Sequence, residues 1–190
     1  MNKPFNDLSV ETLVKQHLLQ EGTILDLRLK YIGDEGMEYL AQCIELANLR
    51  ELKLERNEVT EKGIRALAGS TVVTGLISLS LERNGIGDEG ARVIAQSPNF
   101  SHLKSLNLWK NEVGPDGAKA LADSIMLINL ERLDLAQNKI GDEGGKALAE
   151  SQTLTALNYV DLFGNGVSSE TQIAIKESPV FKNLQHLVLE

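Results

Sequence analysis

The chain has 190 residues, 42% of them hydrophobic and 4% aromatic, with a formal net charge of −8. That length and apolar content suffice for one core-forming domain, while the acidic balance excludes the basic footprint that nucleic acid or an anionic membrane surface demands of a partner. A single cysteine, Cys43, rules out an intrachain disulfide framework, the N-terminus has no apolar signal core, and no apolar run approaches the roughly 18 residues of a membrane span; the expected location is the cytoplasm.

In chain order, residues 1–23 read as a degenerate first helix that caps the N-terminal end. On the spacing that governs the rest of the chain, Phe5 aligns with Ile32, Asp7 with Asp34, Leu13 with Leu40 and Leu19 with Leu46. The first strand follows at Leu25 and Leu27, and from there the sequence repeats every 27 residues without insertion or deletion. One column reads Leu25, Leu52, Leu79, Leu106, Leu133, Val160 and Leu187. Two residues on, a second reads Leu27, Leu54, Leu81, Leu108, Leu135, Leu162 and Leu189; a third reads Leu49, Leu76, Leu103, Leu130, Leu157 and Leu184. The period-two pair in each unit predicts a short strand with both leucines on one face.

After each strand comes Asn57, Asn84, Asn111, Asn138 or Asn165, then Val59, Ile86, Val113, Ile140 or Val167, then a helical stretch such as Gly87–Ala95. A buried amide suits backbone groups left unpaired where a chain leaves a strand, so the asparagines are read as a ladder; Lys30 holds that position in the first strand unit. Asp34, Asp88 and Asp142 are expected to N-cap the helices they begin. Cys43 shares a column with Ser70, Ser97, Ser124, Ser151 and Ser178, which is read as a slot for small side chains.

The pattern Leu49-x-x-Leu52-x-Leu54-x-x-Asn57-x-Val59, followed by a Gly-Asp-Glu-Gly helix start, resembles the leucine-rich repeat of the ribonuclease-inhibitor subtype. The resemblance covers almost the whole chain. It implies an α/β solenoid shaped as a horseshoe, with a parallel sheet on the concave side, helices on the convex side and seven helix–strand units in one domain spanning residues 1–190. Unless the array continues in a longer parent, no C-terminal cap is expected after the last strand, Leu187–Glu190. Its open edge could pair with a second copy and make a homodimer.

Catalysis finds little support. His17, His102 and His186 belong to distant repeats, Cys43 sits in a packing column, and no metal-ligand spacing occurs, so neither enzyme activity nor a cofactor is expected. Arg65, Arg92, Lys119 and Lys146 form a basic column on the helices. Glu61, Asp88 and Asp142 precede three of them by four residues, the favourable order for intrahelical pairs.

The concave columns carry the chemistry that the scaffold does not dictate. One reads Arg28, Glu55, Glu82, Trp109, Ala136, Phe163 and Glu190. With strands about 4.8 Å apart, Trp109 and Phe163 flank Ala136 as the walls of a shallow apolar slot, and the sole tryptophan makes an expected interface anchor. Arg132, Tyr159 and His186 lie beside it, with Asn107, Asp134 and Asp161 as a polar rim. Toward the other end, Lys53, Glu55, Arg56, Glu82, Arg83 and Lys110 form a charged zone in which Glu55 stacks on Glu82. Strands of about five residues give a face of about 500 Å², below the roughly 800 Å² that each partner buries in a standard interface, so the loops that hold Tyr31, Arg56, Glu58, Arg83, Lys110, Glu112 and Lys139 are expected to contribute. The reading is a non-enzymatic module that binds another protein on its concave sheet. Alternatives are an inhibitor that blocks an enzyme, an effector delivered into a host cell, and a self-assembling unit.

Overall fold

A computed structural model of the chain describes residues 8–182 and 184–190. Among these the helices are α1 (Val10–His17), α2 (Gly33–Gln42), α3 (Glu61–Ala68), α4 (Gly87–Gln96), α5 (Pro115–Ala122), α6 (Gly141–Ala149) and α7 (Ser169–Glu177). The strands are β1 (Leu18–Leu19), β2 (Ile24–Asp26), β3 (Glu51–Lys53), β4 (Ser78–Ser80), β5 (Ser105–Asn107), β6 (Arg132–Asp134), β7 (Tyr159–Asp161) and β8 (His186–Val188). They form one sheet in sequence order, parallel from β2 to β8. The repeat period is the sheet register, since Leu25 pairs with Leu52, Leu52 with Leu79, and so on to Leu187. Each unit sends its strand leucines inward against the helices, and Leu52, Leu54, Leu81, Leu108 and Leu135 are fully buried in one continuous core.

Two features of the expected architecture are corrected. The first helix does not reach residue 23: it stops at His17, and Leu18–Leu19 turns back as a strand antiparallel to β2. Leu13 is buried as its alignment with Leu40 requires, but Leu19 is 48% exposed where Leu46 is buried; Phe5 and Asp7 lie outside the described residues. The parallel strands β2 to β8 span three residues and not five, yet the ladder continues past them, with Leu54 N donating to Ser80 O at 2.8 Å and Arg56 N to Glu82 O at 2.9 Å. The ladder ends where Arg56, Arg83 and Lys110 take a left-handed conformation, each with φ 54°, which turns the chain out of the sheet.

The asparagines act as predicted. Asn111 is fully buried, donates from Nδ2 to Leu81 O (2.8 Å) and Trp109 O (3.2 Å), and accepts from Ile86 N. Asn138 Oδ1 in turn accepts from Asn111 N at 2.9 Å and Val113 N at 3.0 Å, so each amide ties two neighbouring repeats together. The serine column is also a ladder and not merely a slot for small groups. Ser124 Oγ donates to Ala95 O of the preceding repeat at 2.5 Å and accepts from Met126 N and Leu127 N, and Ser70 and Ser151 repeat the pattern. Cys43 Sγ faces Glu45 Oε2 at 3.2 Å.

The aspartates cap the following helix and not their own. α2, α4 and α6 have Ile32, Ile86 and Ile140 at the N-cap, with no side-chain cap bond. Asp34 instead accepts from Thr60 N (2.8 Å) and Gly63 N (2.9 Å) of α3, and Asp88 Oδ1 from Gly114 N (2.6 Å) and Gly117 N (2.9 Å) of α5. Asp142 accepts from Ser168 N at the start of α7. A Cβ on Gly117 would lie 2.6 Å from Asp88 Oδ1, so glycine is what lets the carboxylate reach those amides. Repeats therefore alternate: one supplies a carboxylate and starts its helix at a left-handed glycine, Gly33, Gly87 or Gly141, and the next receives the cap. The helix salt bridges differ from expectation in the same way. Glu89 of α4 pairs with Arg65 of α3 as well as with Arg92; no ion pair joins Arg65 to Glu61, Arg92 to Asp88 or Lys146 to Asp142.

Candidate interaction surface

Because side chains alternate across a strand, the residues flanking each buried leucine face the concave side. Arg132, Tyr159 and His186 are in register, as are Asn107, Asp134, Asp161 and Val188. Trp109, Ala136 and Phe163 continue these strands on adjacent positions, with Lys110 N donating to Ala136 O and Gln137 N to Phe163 O. The result is a notch of about 320 Å³ walled by Trp109 and Phe163, floored by Ala136 and bordered by Asp134, Asp161 and Val188. The structure thus brings together two of the three predicted aromatics, Trp109 and Phe163, and two of the predicted acids; Tyr159 does not line the notch. Gln137 and Val188 also line it and escaped the sequence reading, although Val188 is the next member of the column that holds Asp134 and Asp161.

The polar rim has a local task as well. Asn107, Asp134 and Asp161 each use Oδ1 to accept the backbone N–H two residues on, from Trp109 (2.8 Å), Ala136 (3.0 Å) and Phe163 (2.9 Å). These Asx-type bonds hold the strand end that carries the aromatic column. Asp161 Oδ2 faces the Tyr159 hydroxyl at 3.4 Å. Burial pushes the Asp134 carboxyl above its ordinary pKa and the like charge of Asp161 adds to the shift, against the Ala136 N–H and Arg132, which favour the ion.

Two arginines lie on aromatic faces. The Arg83 guanidinium carbon is 4.8 Å from the Trp109 ring centroid and that of Arg132 is 4.0 Å from Tyr159, while Tyr159 and His186 rings lie 6.2 Å apart. Arg83 thereby links the notch to the charged zone. There Glu82 sits 3.5 Å from Arg83 Nε, and burial, followed by the charge of Glu55, raises the Glu82 pKa against the pull of Arg83 and Arg56. Glu55 Oε1 accepts from Ser80 Oγ at 2.9 Å, while its buried Oε2 and Arg83 Nε have no hydrogen-bond partner. Lys53 lies apart, paired with Glu51 at 2.9 Å. Arg56 and Lys110 are exposed on the turns that leave the sheet. Arg83 and Lys110, with Glu112 and Lys139, line a second depression of about 350 Å³.

Other surfaces were not read from the sequence. A larger cavity, about 810 Å³, lies between α6 and α7, lined by Lys146, Glu150, Leu157 and Pro179 among others. Ile125 and Ile128 are exposed on the loop that enters β6. The histidines stay apart, His17 ending α1, His102 preceding β5 and His186 in β8. No described helix is long and apolar enough to cross a membrane.

This arrangement of strand, asparagine turn and helix, repeated in register, defines a leucine-rich repeat solenoid. The Leucine Rich repeat family model matches residues 45–68, 76–95, 101–122 and 127–149, which supports the leucine-rich repeat reading of these units. Among solved structures it is similar to an internalin from Listeria monocytogenes, at 20% identity and a TM-score of 0.54, over 79% of this chain and 36% of that one; the chain thus spans about a third of the length of that relative. It is also matched to the yeast Rad7 and Elc1 complex at 16% identity and a TM-score of 0.35, over 94% of this chain and 66% of that chain. A search of curated proteins finds no match.

Proposed function

We propose that the chain is a non-enzymatic recognition module that binds a partner protein on the concave sheet, with Trp109, Tyr159 and Phe163 as anchors. Solenoids of stacked repeats use their extended concave surfaces for binding, and large aromatics dominate interface energetics. The observation that carries the reading is the position of Phe163, 45% exposed on the sheet beside Trp109, while the chain's other described phenylalanines, Phe100 and Phe181, are buried in the core. A single protruding phenylalanine is unremarkable on a surface; one that walls a notch opposite the sole tryptophan is placed for contact. Binding fits better than catalysis, because the histidines are dispersed and burial pushes the Cys43 thiol up, away from the reactive thiolate.

The test is capture of a partner from the native cell extract with the chain and with Trp109→Ala/Phe163→Ala. Loss of capture is expected, since each anchor contributes about 2 kcal/mol or more, with urea unfolding close to that of the parent because neither ring is part of the core. Undiminished capture by the double variant would overturn the assigned face.

A further inference from the structure

The concave aromatics follow one rule with one exception. Trp109 is covered on one face by Arg83 and Tyr159 by Arg132, so this sheet twice holds a guanidinium against an aromatic ring. Among the described residues no arginine or lysine lies over Phe163, and no cation pairs with Asp134 or Asp161. These three residues border the same notch. Arg132 is close enough to favour the charge on Asp134, but its guanidinium lies on Tyr159.

The free valences point the same way. The Oδ1 atoms of both aspartates are held by backbone N–H groups, and the other oxygen of Asp134 has no hydrogen bond, while that of Asp161 has one long contact to Tyr159. Two carboxylates on adjacent strands, the strands about 4.8 Å apart, therefore stand beside a notch lined by two aromatic side chains. Aromatic faces attract cations through the ring quadrupole, and a guanidinium combines stacking with a fork of N–H donors toward carboxylates.

We infer that the notch between Trp109 and Phe163 takes the guanidinium of an arginine side chain from the partner protein, with Phe163 and Trp109 as walls and Asp134 and Asp161 as its counter-ions. This rests on the concave-face reading above and adds the chemistry of the partner's anchor. Arg83 and Arg132 already sit on Trp109 and Tyr159 as the partner's arginine would sit against Phe163.

The sole tryptophan of the chain makes the experiment direct. Trp109 fluorescence is followed while N-acetyl-arginine-methylamide is added to the full chain at constant ionic strength, with the citrulline and norleucine analogues in parallel. Citrulline keeps the shape and loses the charge; norleucine keeps only the apolar stem. A saturable change is expected with the arginine probe in the millimolar range, at least about 10-fold weaker with citrulline. Asp134→Asn/Asp161→Asn should weaken the arginine response by at least about 10-fold, and Phe163→Ala should weaken it while leaving Trp109 as reporter. The asparagine pair is expected to fold, because Asn107 already fills this column and accepts the Trp109 N–H. Equal responses to arginine and citrulline, a stronger one to norleucine, an undiminished one in the asparagine pair, or no saturable response to the arginine probe would each overturn the assignment. Partner capture separates the two readings. If the asparagine pair retains full capture and Trp109→Ala/Phe163→Ala loses it, the concave face stands and the arginine fails; if both retain it, both fail.

Discussion

Replacing Asp88 with alanine should loosen the helix after the one it belongs to. Asp88 lies in the first turn of α4, yet its carboxylate accepts the Gly114 and Gly117 N–H groups at 2.6 and 2.9 Å. α5 has Gly114 at its N-cap, with no side chain to make the cap bond, so the substitution leaves two donors that no neighbouring side chain serves. A lost N-cap costs about 1 kcal/mol, within a span of about 0.5–2, and the removal of a negative charge from the helix N-terminus adds a few tenths. The expected loss is about 1–2 kcal/mol, or about 2–8 °C in Tm for a domain of this size. Asp34→Ala should cost less, because Thr60 remains to cap α3 through Lys62 N, and Asp142→Ala least, because it accepts one backbone bond and Ser168 caps α7 itself. Urea unfolding gives the ranking, and amide hydrogen exchange gives the place: protection should fall at Gly114, Gly117 and Ala118. Faster exchange confined to the first turn of α4, or a stability change below about 0.3 kcal/mol against the typical cap value, would refute cross-repeat capping.

Asn111→Ala should be among the most damaging substitutions at a polar position. It leaves the buried Ile86 N–H without its acceptor and takes one of two donors from each of the Leu81 and Trp109 carbonyls, which keep Asn84 Nδ2 and Arg83 N, a loss of about 1–3 kcal/mol, the cost of one unsatisfied buried group, readable by chemical denaturation; a loss below that of an exposed-site control would contradict the ladder. Asp134→Asn should act in the opposite direction at neutral pH. The folded-state pKa of Asp134 is raised, chiefly by burial, so its ionised form opposes folding, and the stability linked to its protonation is present below the unfolded aspartate pKa and lost as pH rises through the folded value. The asparagine variant should therefore be more stable than the parent at pH 7, with the gap closing on acidification below the ordinary aspartate range. A gap that is negative at pH 7, or does not change with pH, would show that the carboxylate is not the strained group.

The repeat, the register and the core are legible in the order of the residues. One leucine column at constant spacing becomes one row of strand partners, and an amide repeated where the chain leaves each strand has no other use than to serve stranded backbone groups. Local periodicity sufficed for these, because identical units stacked in order place like residue on like. What it could not assign was the destination of a hydrogen bond that leaves its own unit. Asp88 looks like the cap of the helix that contains it until the neighbouring helix is set beside it, with Gly117 opening the approach, and Ser124 looks like a small packing residue until Ala95 O is within reach. The same holds for the notch: the columns put Trp109, Phe163, Asp134 and Asp161 on one face, but only the folded sheet decided which rings the chain's own arginines cover, because stacking across repeats depends on the turn geometry at Arg83 and the strand position of Arg132. Phe163 and its flanking carboxylates are what that geometry leaves without a guanidinium of the chain's own.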